Sequence, residues 1–308
     1  MIDYHVHLWP HAMVADEAEL AAERISGYLE RAAGNGVREI ALTEHFFRFR
    51  KAREVVEGWW DDFEEPQGRH LRAAAEAYFD HHATADLDHY VETATALKSA
   101  GMPVVVGLEV DYYAGRMGEV ARLLAGYPFD VLLGSVHWID NWMFDVLDQA
   151  VAQQEWDHRS LEETWRAYGE AIDELAGSGV CDVLAHPDVV KLTGRLPDRA
   201  VVEDCEARIA EAAGASGMAA EVSSAGLRRP CQEVYPSRGL LERFLERGVA
   251  ITFASDSHGS TRVGERSSEL RRFAAEAGYS QAARFSERRP ELFSFTVPEA
   301  DDSSGDAP

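Results

Sequence analysis

A chain of 308 residues with 46% hydrophobic content can bury a large core. Its three cysteines, Cys181, Cys205 and Cys231, are odd in number and lack metal-ligand spacing, so no disulfide framework is expected and a reducing compartment fits. The 54 acidic against 30 basic residues give a formal charge of −24, which repels phosphate backbones and argues against nucleic-acid binding.

No apolar run approaches the ~18 residues of a membrane span, and the N-terminus carries Asp3 and clustered histidines instead of a basic, then apolar, leader. A soluble cytoplasmic protein with no membrane partner is the expectation; oligomeric state is left open. From residue 2 to about 278, short apolar runs alternate with longer helical patterns, the signature of repeated β-α units around a parallel sheet. Seven runs are predicted as strands: 2–6, 39–43, 103–108, 129–135, 180–185, 218–222 and 249–254. Helical periodicity marks 17–33, 161–176, 201–213 and 240–247, several of them closing on glycine. The connection 46–102 is much longer than the others and contains Trp59-Trp60-Asp61-Asp62; it reads as an elaborated loop with helices covering one barrel end, the tryptophans serving its packing. Residues 1–299 are expected to form one domain, and the small, acidic stretch 300–308 a disordered tail.

In a β-α barrel, functional groups gather where strands end. The first predicted strand runs through Asp3-Tyr4-His5-Val6-His7, and a spacing of two puts both imidazoles on one face of the strand, with His11 four residues on. The next strand ends are Thr43-Glu44-His45, Gly107-Leu108-Glu109-Val110-Asp111, Gly134-Ser135-Val136-His137-Trp138, Ala185-His186-Pro187-Asp188 and Ala254-Ser255-Asp256-Ser257-His258. A lone histidine beside a strand is more often a packed core residue than a ligand. Recurrence at six of seven strand ends has one economical cause, a cluster of divalent ions. His70, His81, His82, His89 and His158 lack this placement and read as solvated helix or lid residues. Phosphate-cradling glycine loops and a Gly-x-Ser-x-Gly elbow are absent, which removes support for nucleotide cofactors and serine triads.

With these motifs, the chain resembles the polymerase and histidinol phosphatase (PHP) family over roughly residues 2–278, and within it the monofunctional histidinol-phosphate phosphatases. The resemblance rests on Pro10-His11, Thr43-Glu44-His45, the stretch from Gly134 to Asp140 with Phe144-Asp145 after it, Ala225-Gly226-Leu227-Arg228 with Tyr235-Pro236, and Ser255-Asp256-Ser257-His258. It implies a distorted (β/α)7 barrel and two or three divalent ions, with Zn, Mn and Fe all suited to these donors. It implies one metal on His5, His7, Glu109 and Asp256, a second on His137 and His186 bridged by Glu109, and a third on His11, His45 and His258. The His7 to His11 spacing is shorter than usual for the family, and Lys191 stands where arginine is common.

The implied reaction is hydrolysis of a small phosphomonoester, histidinol phosphate in histidine biosynthesis, with Glu109, Asp256 and His258 as catalytic residues. Arg228 is the expected phosphate clamp and Lys191 a weaker partner. Glu44 and Asp188 are candidates to receive the ammonium and imidazole of the substrate, or to orient His45 and His186. The alternatives are a PHP phosphoesterase acting on nucleotides or other small phosphomonoesters, and a metal-free PHP-like binding module. An amidohydrolase also begins with His-x-His and ends with a late aspartate, but Glu109 and the Asp256/His258 pair fit that scheme poorly.

Overall fold

The computed structural model describes residues 1–65, 70–147 and 149–297, so the predicted tail at 300–308 lies outside the described residues. Its strands are β1 (Ile2–His7), β2 (Glu39–Leu42), β3 (Val104–Asp111), β4 (Val131–Ser135), β5 (Trp138–Ile139), β6 (Trp142–Met143), β7 (Val183–Leu184), β8 (Ala219–Ser223), β9 (Ile251–Ala254), β10 (Ser257–His258), β11 (Gln281–Ser286) and β12 (Arg289–Ser294). Eight of them form a single parallel sheet in the order β10-β1-β2-β3-β4-β7-β8-β9. Both faces of the parallel sheet are covered, which is why its strands read as continuous apolar runs.

The seventh predicted strand is split, and the split shapes the barrel. β9 pairs with β8; the chain then kinks at Ser255-Asp256, where Asp256 takes a φ of 49°, and β10 pairs with β1 through Val6 with Ser257 and His7 with His258. One strand thus serves both edges of the sheet and curls it into a distorted (β/α)7 barrel. Buried Asp3 ties the kink to β1, accepting from the Ser255 amide at 2.8 Å, the Ser255 hydroxyl at 2.5 Å and the Gly264 amide at 2.8 Å. β3 extends past its predicted end, so Glu109 lies inside a strand, whereas β7 shrinks to two residues.

Beyond residue 278, where the predicted β-α rhythm stops, β11 and β12 form an antiparallel hairpin. Ala283 and Phe285 from it join Tyr4, Ala41, Val105, Val131, Leu133 and Val183 in one apolar cluster. At its turn Arg288 pairs with Asp182 and its amide donates to the Asp130 carbonyl, just ahead of β7 and β4, so the hairpin seals the end of the barrel opposite the histidines. Of the long connection, the described part contains helices Arg50–Val55, Leu71–His82 and Leu87–Ser99 and a short turn at Trp59–Asp62. Trp59 and Trp60 are buried, and Trp59 packs edge-on against Tyr113 and Trp138. No helix among the described residues is long and apolar enough to cross a membrane.

Candidate metal centre

The histidines of β1 are where period two puts them. His5 and His7 are fully buried, and their rings lie 4.9 Å apart. Glu109, in the interior of β3, stands at the centre of the constellation. Its Oε2 is 3.2 Å from His5 Nε2, 3.5 Å from His7 Nε2 and 2.6 Å from His45 Nδ1, and its Oε1 is 3.0 Å from His186 Nε2 and 3.6 Å from His137 Nε2. Asp256 Oδ1 closes on His7 and His5 at 3.6 and 3.9 Å.

Four groups of three donors lie within coordinating reach of a single point: His5, His7 and Asp256; His5, Glu109 and His186; His45, Glu109 and His137; and His7, His45 and His258. His5 Nε2, both nitrogens of His7, His45 Nδ1 and Glu109 Oε2 are sealed from solvent, yet none has a partner in hydrogen-bonding geometry. Lone-pair atoms this close without a shared proton are costly to bury, and divalent cations are the group such a donor set suits. The nine sequence-predicted ligands are therefore brought together, with a change at His11. Its ring stacks on His258 at 3.9 Å and tilts toward His45 at 4.9 Å, but it belongs to none of the four donor groups. Buried Arg48 holds the His11 loop, donating to the carbonyls of Pro10 at 2.8 Å, Trp9 at 3.3 Å and Met13.

Burial works against charge throughout the centre, and the neighbours decide who keeps it. Glu109 is held well below the usual carboxylate range despite its burial, because His45, His5 and His137 face it. His5, His7 and His258 do the same for Asp256. Burial, with His7 close by, pushes His45 down, and burial with His11 and His7 beside it pushes His258 down. His137 is raised to about 10 against its burial by Asp145, Asp111 and Glu109.

Two orienting carboxylates were not among the predicted site residues. Glu221, fully buried in β8, accepts from His5 Nδ1 at 2.8 Å and from the His186 amide at 3.4 Å; Asp111, also fully buried, accepts from His137 Nδ1 at 2.6 Å. A carboxylate can only accept here, so each bond places the proton on Nδ1 and leaves Nε2 free to face the cluster. The sixth strand thus contributes to the site after all. An acidic residue inside an apolar strand was the available signal.

The four predicted substrate contacts all have protein partners, although Glu44 Oε2 and Asp188 Oδ1 stay buried without a hydrogen bond. Glu44 accepts from the Leu8 and Trp9 amides and stands 3.7 Å from His7. Lys191 is buried and spends its ammonium on Asp188 at 2.9 Å, Glu233 at 3.0 Å and the Val234 carbonyl at 2.9 Å. Asp188 in turn accepts from the Ser237 amide at 2.7 Å. Arg228 donates to the carbonyls of Ser255 and Asp256 at 2.9 Å each and pairs with Glu265 at 3.0 Å, which makes it a brace on the metal-side kink. Its neighbour Arg229 has no ion-pair partner among the described residues and lines a cleft beside His11.

The chain matches the PHP domain family over residues 3–225. It belongs to that family. Among curated relatives, a probable histidinol-phosphatase of Deinococcus radiodurans is 32% identical over 165 residues, 54% of this chain and 61% of that protein. A probable histidinol-phosphatase of Schizosaccharomyces pombe is 24% identical over 256 residues, 79% of this chain and 78% of that protein. The match to the Deinococcus protein thus spans less than two thirds of its length. The crystal structure of histidinol phosphate phosphatase from Lactococcus lactis, complexed with zinc, L-histidinol and phosphate, superposes with a TM-score of 0.65 at 21% identity, covering 94% of this chain and 98% of that one, and shows a shared fold.

Proposed function

We propose that this PHP protein is a metal-dependent phosphomonoesterase that hydrolyses L-histidinol phosphate to L-histidinol and phosphate, using two or three divalent ions. The observation that carries the reading is the Glu109 carboxylate, whose two oxygens face two separate sets of imidazoles at 2.6–3.6 Å. On this reading His5, His7, Glu109 and Asp256 would hold one ion, Glu109, His137 and His186 a second, and His45 and His258 a third near His11. Bound ions would supply Lewis acidity and neutralise phosphoryl charge. The protein's own groups do the rest: Glu221 and Asp111 fix imidazole orientation, Glu44 and Arg48 hold the loop behind His7, and Arg228 holds the Asp256 backbone. Two curated relatives, both named probable histidinol-phosphatase, support this choice of substrate.

The test is phosphate release from L-histidinol phosphate, AMP and p-nitrophenyl phosphate by protein purified without chelator, then stripped and reconstituted with Zn, Mn or Fe. The expected outcome is a clear preference for histidinol phosphate, abolished by chelation and restored by metal. Near-zero metal content in active or inactive protein would sink the reading; preference for AMP would move it to another PHP phosphoesterase.

A further inference from the structure

The long connection between β2 and β3 reaches back into the sheet through one side chain. Its helix Leu87–Ser99 is capped by Asp86, which accepts from the Asp88 amide at 2.9 Å, and carries Tyr90 on the first turn. Tyr90 is fully buried, its ring 5.2 Å from that of Phe49 and 6.4 Å from that of Trp9. The hydroxyl ends between the two strands. It stands 2.8 Å from the Leu42 carbonyl and 3.1 Å from the Gly107 carbonyl, and it accepts from the Glu44 amide at 3.4 Å.

Pairing of β2 with β3 runs in register from Ile40 with Val104 to Leu42 with Val106, and it returns at His45 with Glu109, where the Glu109 amide donates to the Glu44 carbonyl at 2.9 Å. In an uninterrupted parallel ladder, the bond between these two stretches would run from the Glu44 amide to the Gly107 carbonyl. The Tyr90 hydroxyl takes the place of that bond, accepting from the amide and giving its one proton to a carbonyl of either strand. Buried backbone groups need partners, so a hydroxyl that supplies them keeps the strands apart where a direct bond would draw them together. Gly107 supplies no wedge from the inner face, since it has no side chain and a Cβ there would stand 2.8 Å from Thr43 Cγ2. The next residues on both strands are donors of the centre, with His45 Nδ1 2.6 Å from Glu109 Oε2.

We infer that Tyr90 is a positioning residue of the metal centre: its hydroxyl, inserted in the ladder, sets the separation of β2 and β3 in the layer beneath His45 and Glu109, and with it the approach of these two donors. The inference rests on the proposed reading that both hold divalent ions. Tyr90 acts through the backbone, because all three partners of its hydroxyl are main-chain groups. Without the hydroxyl the Glu44 amide is left to bond the Gly107 carbonyl directly, which draws β2 onto β3 and changes how His45 meets Glu109.

The test variant is Tyr90→Phe, which removes the hydroxyl and keeps the ring against Phe49 and Trp9. Tyr279→Phe is the control: the buried Tyr279 hydroxyl donates to the Val249 carbonyl at 2.9 Å, at the far end of the predicted strand 249–254 from Asp256. Chelator-stripped wild type, Y90F and Y279F are titrated with Co2+, whose visible absorption reports ligand geometry, and are unfolded with urea. Each variant gives up a buried hydrogen bond and should unfold at lower urea than wild type. Only Y90F should bind Co2+ more weakly, by about 10-fold, as loss of an orienting partner does, and show an altered spectrum at saturation. A Y90F protein with wild-type affinity and spectrum, one that fails to fold, or a Y279F protein with the same change in metal binding overturns the inference alone. Wild type that takes up no Co2+ overturns the metal reading, and this inference with it.

Discussion

Replacing Glu221 tests whether a carboxylate that touches no proposed ion governs the centre. The residue is fully buried, 2.8 Å from His5 Nδ1, and its other oxygen accepts from the His186 amide, so it fixes two donors on adjacent sides of Glu109. Glu221→Gln preserves shape and one acceptor but removes the charge that makes His5 a better donor. Loss of such an orienting partner lowers metal affinity by about 10–100-fold, equivalent to about 1.4–2.8 kcal/mol. Glu221→Ala also leaves the buried His5 Nδ1 without a partner, which should add about 1–3 kcal/mol of folding destabilisation. Competition with a chromophoric chelator gives the affinities, and urea unfolding gives the stabilities. The expected order of metal affinity is wild type, then E221Q, then E221A, with excess metal recovering most phosphate release in E221Q. Equal affinities in all three proteins would refute the assignment, because the His5 orientation would then be set by the backbone alone.

Two further outcomes follow from the same geometry. Arg228→Ala removes two bonds to the Ser255 and Asp256 carbonyls, so metal affinity should fall several-fold along with substrate binding, whereas Arg229→Ala should raise KM by about 10-fold with metal content unchanged; metal analysis paired with phosphate-release kinetics separates the two. Burial, then Arg48 and His81, holds His82 down to about 4 from an ordinary 6.5. The unfolded chain therefore takes up a proton on His82 that the fold refuses, so wild type loses stability as pH falls from 6.5 toward 4. In His82→Gln this contribution disappears, and urea unfolding across that window should show the two profiles diverging below pH 6.5 and running parallel again below about 4.

The positions of the donors were legible because they follow from local rules. Two residues apart on a strand means one face, so His5 and His7 converge whatever the rest of the chain does, and donors at successive ends of parallel strands share one rim of the barrel. The local i, i+3 pairing of Asp188 with Lys191 was within reach of the same reasoning, since both sit in one tight helical turn. What the sequence could not supply was the use of each side chain once neighbours compete for it. Arg228 braces a kink 27 residues away, Glu221 finds a partner 216 residues away on β1, and His82 is buried by a phenylalanine from a different segment.

The sequence by itself determined the β-α alternation, the rim and the donor types, because strand periodicity and imidazole and carboxylate chemistry act over a few residues. The tertiary structure alone decided that the seventh strand splits to close the sheet, that Glu109 is central to the constellation, and that Arg228 and Lys191 are tied into the scaffold while Arg229 has no ion-pair partner among the described residues. Hydrogen-bonding capacity is finite and is allotted by proximity in three dimensions, and proximity between residues hundreds of positions apart is a property of the packed chain.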